Sequence, residues 1–292
     1  MSHGLILFPR STPSGSNSAF RWWIDAAASF GLKVRVEFFE NIILKVCGDR
    51  TEAMLAGGEI LAPQFVVMRG YCTPLSEFFE HRGVRVVNST RSMSVSRDKL
   101  LTHLTLSATG LPQPATIWCP VALPYADAAR LMSAPRFVIK EREGSKGEKV
   151  WLADSEYSFS KAISACSEGI LLQEYVEESH GRDLRIWVIG GEAVAAVIRR
   201  SDSDFRSNFA LGGSATLCDA PPEARKLAEK AAAACGLFFA GVDLLFTRRG
   251  FTVCEVNGNA GFRTLSKAGG PDILNLFFKK INDYRQISDC SR

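Results

Sequence analysis

The first hundred residues alternate short apolar runs with stretches of helical period. Leu5 to Phe8 is apolar and is followed by the polar Ser/Gly loop Ser11 to Ser18. "AFRWWIDAAASFG" then carries apolar residues at helical spacing and closes at Gly31, after which "LKVRVEFF" alternates as a strand does. "QFVVMRG" and "GVRVVNS" repeat the strand pattern around a helical "PLSEFFEHRG". This succession predicts βαβ units, so residues 1–94 are expected to form a parallel α/β domain. Arg69 and the Ser11 to Ser18 loop fall near strand carboxyl ends, where open α/β sheets receive ligands. A pure scaffold role reads equally well there. "SRDKLLTHLTLSATGLPQP" predicts a capped helix that ends at Gly110 before two prolines and opens a new section.

Beyond Gly110, three strand pairs carry the candidate chemistry. "PRFVIK" and "KVWLA" flank the loop "EREGSKGE". Its glycines let backbone N–H groups approach a phosphate, and Lys140 supplies a positive charge at the end of the first strand. The same composition serves an ordinary solvated turn, and the spacing is not that of a P-loop. "DLRIWVI" and "EAVAAVIRR" are joined by Gly190-Gly191; a two-residue turn there places Asp183 opposite Ile198 and Arg185 opposite Ala196. Asp183 and Arg185 then share one face, as on any solvent-facing strand.

The third pair lies in "GVDLLFTRRGFTVCEVNGNAG". A turn at Arg248 to Gly250 sets Asp243 directly opposite Glu255, with Cβ atoms roughly 5 Å apart, and Asn257 joins the same face two residues on. Two carboxylates and an amide oxygen among apolar neighbours are the oxygen set that Mg²⁺ takes when a nucleotide's phosphates and waters complete its shell. Opposed carboxylates repel. Neutralising either one is therefore expected to leave the ligand-free fold unchanged or slightly more stable.

Composition narrows the class. With 292 residues, 46% hydrophobic and 23% charged, the chain can bury a substantial core. The longest weakly polar stretch, Ala231 to Val242, stops at Asp243, well short of the roughly 20 residues that cross a bilayer. No secretory apolar region is recognisable near the start, so a cytoplasmic protein without a membrane partner is expected. The eight cysteines show no Cys-x-x-Cys pair or metal-ligand spacing and read as reduced thiols. A net charge of +4 without a basic block gives no footprint of nucleic-acid binding.

Taken in order, "SRDKLLTH", "GLPQPAT", "FVIKEREGSKG", "LLQEYVEESHGRDLRIWVIGGEAVAAVIRRS", "DFRSNFALGGSA", "AGVDLLF" and "CEVNGNAGF" resemble the RimK-like group of ATP-grasp ligases, ATP-dependent carboxylate-amine ligases. The resemblance implies an α/β ATP-grasp fold in three parts: an N-terminal parallel α/β domain (1–94), a central lid (95–173) and a C-terminal sheet subdomain (174–292). It implies ATP and Mg²⁺, or Mn²⁺ on the same oxygens. Lys99 and Lys140 would contact the phosphates, and a loop containing Gly144, Ser145 and Gly147 would close over them. Glu174, Tyr175 and Val176 would form the adenine hinge, with Asp183 at the ribose. Arg206, Ser207 and Asn208 would reach the phosphates, Lys140 and Arg206 serving catalysis, and Asp243, Glu255 and Asn257 would hold the metal. Arg263, beginning a helix after "NGNAGF", and Arg69 are the candidates for substrate. Three departures stand out: Lys149 where the family loop often has glycine, Ala260 in place of the usual proline, and a spacer before "DFRSN" about one residue shorter than in the glutamate ligases.

The reaction implied is carboxylate activation to an acyl phosphate and attack by an amine, adding glutamate or a similar amino acid to a peptide, protein or small amine. A non-catalytic ATP-binding regulator and an ATP-grasp phosphotransferase are the alternatives. Self-association is left open.

Overall fold

The apolar run at the start forms β1 (His3–Phe8), five of whose six residues are buried. Continuous burial of this kind belongs to a parallel strand covered on both faces. In this computed structural model, which describes residues 3–12, 17–121, 123–144, 149–166, 169–207 and 213–289, it is followed by α1 (Asn17–Ala28), β2 (Lys33–Phe38), β3 (Ile42–Cys47), β4 (Arg50–Leu55), β5 (Phe65–Met68), α2 (Thr73–His81) and β6 (Arg85–Val87). Next come α3 (Thr90–Arg97), α4 (Lys99–Ala108), β7 (Thr116–Cys119), α5 (Tyr125–Met132), β8 (Phe137–Glu141), β9 (Val150–Ala153), α6 (Glu156–Ala165) and β10 (Ile170–Glu174). The chain ends through β11 (Arg182–Ile189), β12 (Glu192–Arg200), β13 (Ser214–Leu217), α7 (Pro222–Ala234), β14 (Phe239–Thr247), β15 (Gly250–Asn257), α8 (Arg263–Lys267) and α9 (Ile273–Asp289).

Two compact units result. One gathers the residues through Met93, Leu237–Phe239 and those from Asp272 onward. Its parallel sheet has the order β2-β1-β5-β6, so both expected βαβ connections are present. Leu7, Val66, Met68, Leu75 and Phe79 fill one core. Elsewhere in the unit Trp23 meets Phe277 and Phe278 of α9 edge-on at 5.6 and 5.9 Å. The buried Asn88 ties Leu237–Phe239 in: its side-chain oxygen accepts from the amides of Phe238 and Phe239, and its amide donates to the Phe239 carbonyl. The antiparallel β3–β4 hairpin adds to what the sequence pattern predicts.

The other unit holds residues 94–236 and 240–271. An antiparallel sheet of order β7-β10-β8-β9 packs Phe137, Ile139 and Leu172 against Ala128 of α5 and Phe159 and Ala162 of α6. A five-stranded sheet has the order β13-β12-β11-β14-β15. Helix α7 buries Ala224, Ala228, Ala231 and Ala232. Side chains this small let a helix axis lie close to the strands beneath it.

Candidate functional site

Register decides which side chains meet. The turn of β11–β12 is Gly190-Gly191, both with positive φ, as a two-residue hairpin requires. A bulge opposite Trp187 and Val188 then leaves Val194 unpaired, so Asp183 faces Arg199 and Arg185 faces Val197. This corrects the expected partners Ile198 and Ala196. One extra residue in β12 shifts every later pair by one position. In β14–β15 Thr247 pairs with Gly250, so the turn is shorter than the three residues expected. A second bulge, at Cys254, restores the register, and Asp243 does face Glu255. Without it Asp243 would oppose Cys254, and Glu255 would point to the other side of the sheet.

These registers assemble a buried ion network. Arg185 grips Asp243 through Nε and Nη2, both at 2.6 Å. Arg199 grips Asp183 through the same two nitrogens and reaches Asp243 Oδ2 at 2.9 Å. Asp183, Arg199 and Asp243 are all buried. Burial pushes the Asp243 carboxyl up, but Arg185 and Arg199 outweigh it and hold it below the ordinary carboxylate range. The repulsion expected between Asp243 and Glu255 is thus not the dominant force on Asp243.

A divalent cation fits what remains. Asp243 Oδ2 already accepts two N–H bonds and Oδ1 only one, so Oδ1 keeps a lone pair. Asn257 Oδ1 accepts from the Asn259 amide at 2.8 Å and likewise keeps one. Asn259 Oδ1 is buried with no hydrogen-bond partner among the described residues. No group of three or more His, Cys, Asp and Glu side chains is placed to hold a metal among those residues. A cation here therefore depends on the amide of Asn257 and on oxygens from a nucleotide.

Gly241, paired with Asn257, lets the segment after the strand fold back. A Cβ at Gly241 would lie 2.7 Å from that of the buried Ala260. Gly241→Ala is accordingly expected to destabilise the protein by about 1–3 kcal/mol. Ala260→Gly should restore most of the loss, as thermal unfolding of the single and double variants will show.

Two lysines face this carboxylate end. Lys140, buried on β8, donates to Gln173 Oε1 at 2.6 Å and lies 3.5 Å from Cys254 Sγ, beside Glu255. Lys99 opens α4 and donates to the carbonyls of Gly144 and Arg142 at 3.3 and 3.5 Å. Burial lowers its pKa, Glu255 raises it and Lys140 lowers it, so both charges lie within electrostatic reach of Lys99. Asp98 caps α4 from the amides of Leu100 and Leu101 and pairs with Arg142. Burial opposes its charge, but Arg142 and the capping amides hold it below the ordinary range.

The base of the glycine hairpin is closed by an ion pair between Lys149 and the buried Glu141, giving the departure at Lys149 a structural role. Arg206 is held by Asp204 at 2.6 and 2.9 Å and donates to the Val150 carbonyl at 3.2 Å, so the "DFRSN" segment meets the start of β9. Ser207 is buried beside it. Ser145, Gly147 and Asn208 lie outside the described residues, as do positions 13–16 of the expected N-terminal loop.

A cavity of about 220 Å³ opens on the expected hinge. It is lined by Glu174, Tyr175 and Val176 and, unforeseen from the sequence, by Gln113, Thr247 and Thr252. The hinge is fixed at its start: Glu174 and Ala115 exchange two hydrogen bonds, at 2.8 and 3.1 Å. Asp183 does not line this cavity, because its carboxylate is turned to Arg199. Arg263 is the exposed first residue of α8, a helix of only five residues, so little helix dipole stands behind it. In the other unit Arg69 follows β5 at the point where the strand order reverses, with its guanidinium 5.4 Å from the Trp23 ring and 5.3 Å from that of Phe239. Burial lowers its pKa to about 10.

Known proteins resemble this chain over most of its length. A model of the RimK-like ATP-grasp domain matches residues 96–281. A probable alpha-L-glutamate ligase of Aliivibrio fischeri (strain MJ11) is 34% identical over 268 residues, which cover 88% of this chain and 89% of that protein. The fold is shared with a RimK domain ATP-grasp protein from Sphaerobacter thermophilus, with a TM-score of 0.71 at 17% identity over 96% of this chain and 99% of that one. It is also shared with the ATP-grasp ligase PsnB complexed with minimal precursor, Mg and ADP, with a TM-score of 0.70 at 17% identity over 94% and 96% of the two chains. The chain belongs to the RimK-like ATP-grasp family of ATP-dependent carboxylate-amine ligases. No helix among the described residues is long and apolar enough to cross a membrane.

Proposed function

We propose that the protein joins glutamate to a carboxylate- or amine-bearing partner, a peptide, protein end or small molecule, through an acyl phosphate. The observation that carries this reading is the register of β14 and β15, which opposes Asp243 and Glu255 and sets Glu255 within electrostatic reach of Lys99. The choice of glutamate follows the glutamate-ligase relatives.

In this reading adenine occupies the cavity against Glu174, Tyr175 and Val176. Lys99, Lys140 and Arg206 face the phosphates, together with Gly144 of the hairpin loop and Ser207. Asp243 through Oδ1, Glu255 and Asn257 would hold Mg²⁺ or Mn²⁺. When bound, the cation neutralises phosphate charge and aligns the γ-phosphoryl group. A carboxylate oxygen of the acid bonds to the γ-phosphorus as its bond to the bridging oxygen breaks and ADP leaves. The amine nitrogen then bonds to the acyl carbon, the carbon–oxygen bond to phosphate breaks, phosphate leaves, and the amine's proton passes to solvent. Lys140 and Arg206 stabilise charge on the transferring group, and no side-chain nucleophile is needed. Arg263, exposed beyond the metal strand, is proposed to read the charge of the acid, with Arg69 as the alternative should Arg263 play no part.

Release of ADP, followed while glutamate is paired in turn with amino acids and short peptides, tests the reading. ADP and phosphate in equal amounts with a product joined by one amide are expected. A phosphorylated acceptor would make the protein a phosphotransferase, and no turnover with any pair would favour the regulatory alternative. Arg263→Ala should raise the KM of the acid and leave the KM of ATP unchanged.

A further inference from the structure

Lys140 is the charged end of a hydrogen-bond chain that runs away from the phosphate site into the core. Its Nζ donates to Gln173 Oε1 at 2.6 Å, and Gln173 Nε2 lies 2.8 Å from His103 Nε2 and 2.9 Å from Thr116 Oγ1. His103 Nδ1 lies 2.7 Å from Gln113 Oε1, and Gln113 Nε2 donates to the His103 carbonyl at 2.9 Å. Lys140, Gln173 and His103 are all buried, so water cannot stand in for a missing partner.

Donor and acceptor roles along the chain are fixed from both ends. An ammonium group only donates, so the oxygen of Gln173 must face Lys140 and its NH₂ must face His103. His103 Nε2 must then be bare, which puts the ring's proton on Nδ1. From the other end, Gln113 spends its NH₂ on the His103 carbonyl and turns its oxygen to Nδ1, which demands the same proton. Burial, with Lys140 and Lys99 nearby, lowers the His103 pKa to about 4, while Gln113 raises it, so the ring is neutral at physiological pH.

We propose that His103, held as its Nδ1–H tautomer, is a positioning residue that locks the Gln173 amide so that its oxygen aims the Lys140 ammonium at the ATP phosphates. The proposal rests on the reading of Lys140 as a phosphate contact. A flipped Gln173 would present NH₂ to the ammonium, and Lys140 would lose its anchor. His103 touches neither nucleotide nor substrate and acts only through the other two residues.

Two measurements on the protein test it. Long-range ¹H–¹⁵N spectra, with His103 assigned by its loss in His103→Leu, should show a protonated Nδ1 and a bare Nε2 at pH 7. A protonated Nε2 would overturn the proposal. The second is a double-mutant cycle on Mg-ATP affinity by calorimetry. His103→Leu should weaken binding about tenfold in the wild-type background and by less than about twofold in the Lys140→Ala background. An equal loss in both backgrounds would make His103 a purely structural residue and leave the ATP site standing. Unchanged affinity in Lys140→Ala itself would instead overturn the phosphate role of Lys140, and the relay with it.

Discussion

Glu255→Gln is expected to lose ADP release by about 10²–10³-fold while unfolding like the wild type, whereas Asp243→Asn should lose both activity and stability. The side chain of Glu255 makes no hydrogen bond or ion pair among the described residues and only bears on Lys99 through its charge, so its neutralisation costs the ligand-free fold little. Asp243 differs because Arg185 and Arg199 converge on it in a buried setting. Removing one partner of such a network leaves charge uncompensated, at about 3–5 kcal/mol. The sequence alone points the other way, since opposed carboxylates repel and either neutralisation then looks harmless. Thermal unfolding of the two variants beside the wild type separates the accounts; equal melting temperatures would show that the arginines do not depend on Asp243.

Acidification from pH 6.5 to about 4 should remove roughly 3 kcal/mol of stability through His103 alone, at 1.36 kcal/mol for each pH unit. The unfolded imidazole takes a proton below pH 6.5, while the folded ring resists until about pH 4 because burial excludes its charged form. Over that window the unfolded state binds more protons, so stability is present above pH 6.5 and falls as pH drops. Asp98 and Asp243 are held below the ordinary carboxylate range, so their contributions persist to lower pH and fade only beneath the unfolded value near 4. Urea midpoints at pH 7, 5.5 and 4.5 should therefore fall steeply in the wild type and much less in His103→Leu. Parallel slopes would assign the loss to other groups.

The third hairpin shows how far the sequence could be read. Asp243 does oppose Glu255, but through a short turn and a bulge at Cys254 in place of the symmetric three-residue turn that parity suggests. The bulge at Val194 had no such compensation, and Asp183 acquired Arg199 as its partner. Bulges answer to what packs on the sheet, here Trp187, wholly buried with its indole donating to the Gly261 carbonyl. Periodicity along one strand does not register that. The β3–β4 hairpin was missed although a local signal for it exists, since Ile42 to Cys47 ends at a Gly48-Asp49 turn. Contacts between distant segments were not. His103 and Gln173 are 70 residues apart, and neither "LLTHLTL" nor "LLQEY" hints that the other is its partner.

Transfer of oxygen from acid to phosphate tests the central claim most directly. With ¹⁸O in the carboxylate of the acid, an acyl phosphate returns one labelled oxygen to inorganic phosphate for each amide formed, because the carbon–oxygen bond that breaks carries the acid's own oxygen. Mass spectrometry of the phosphate should find that label at one atom per turnover. Amide formation with unlabelled phosphate would contradict the proposed intermediate.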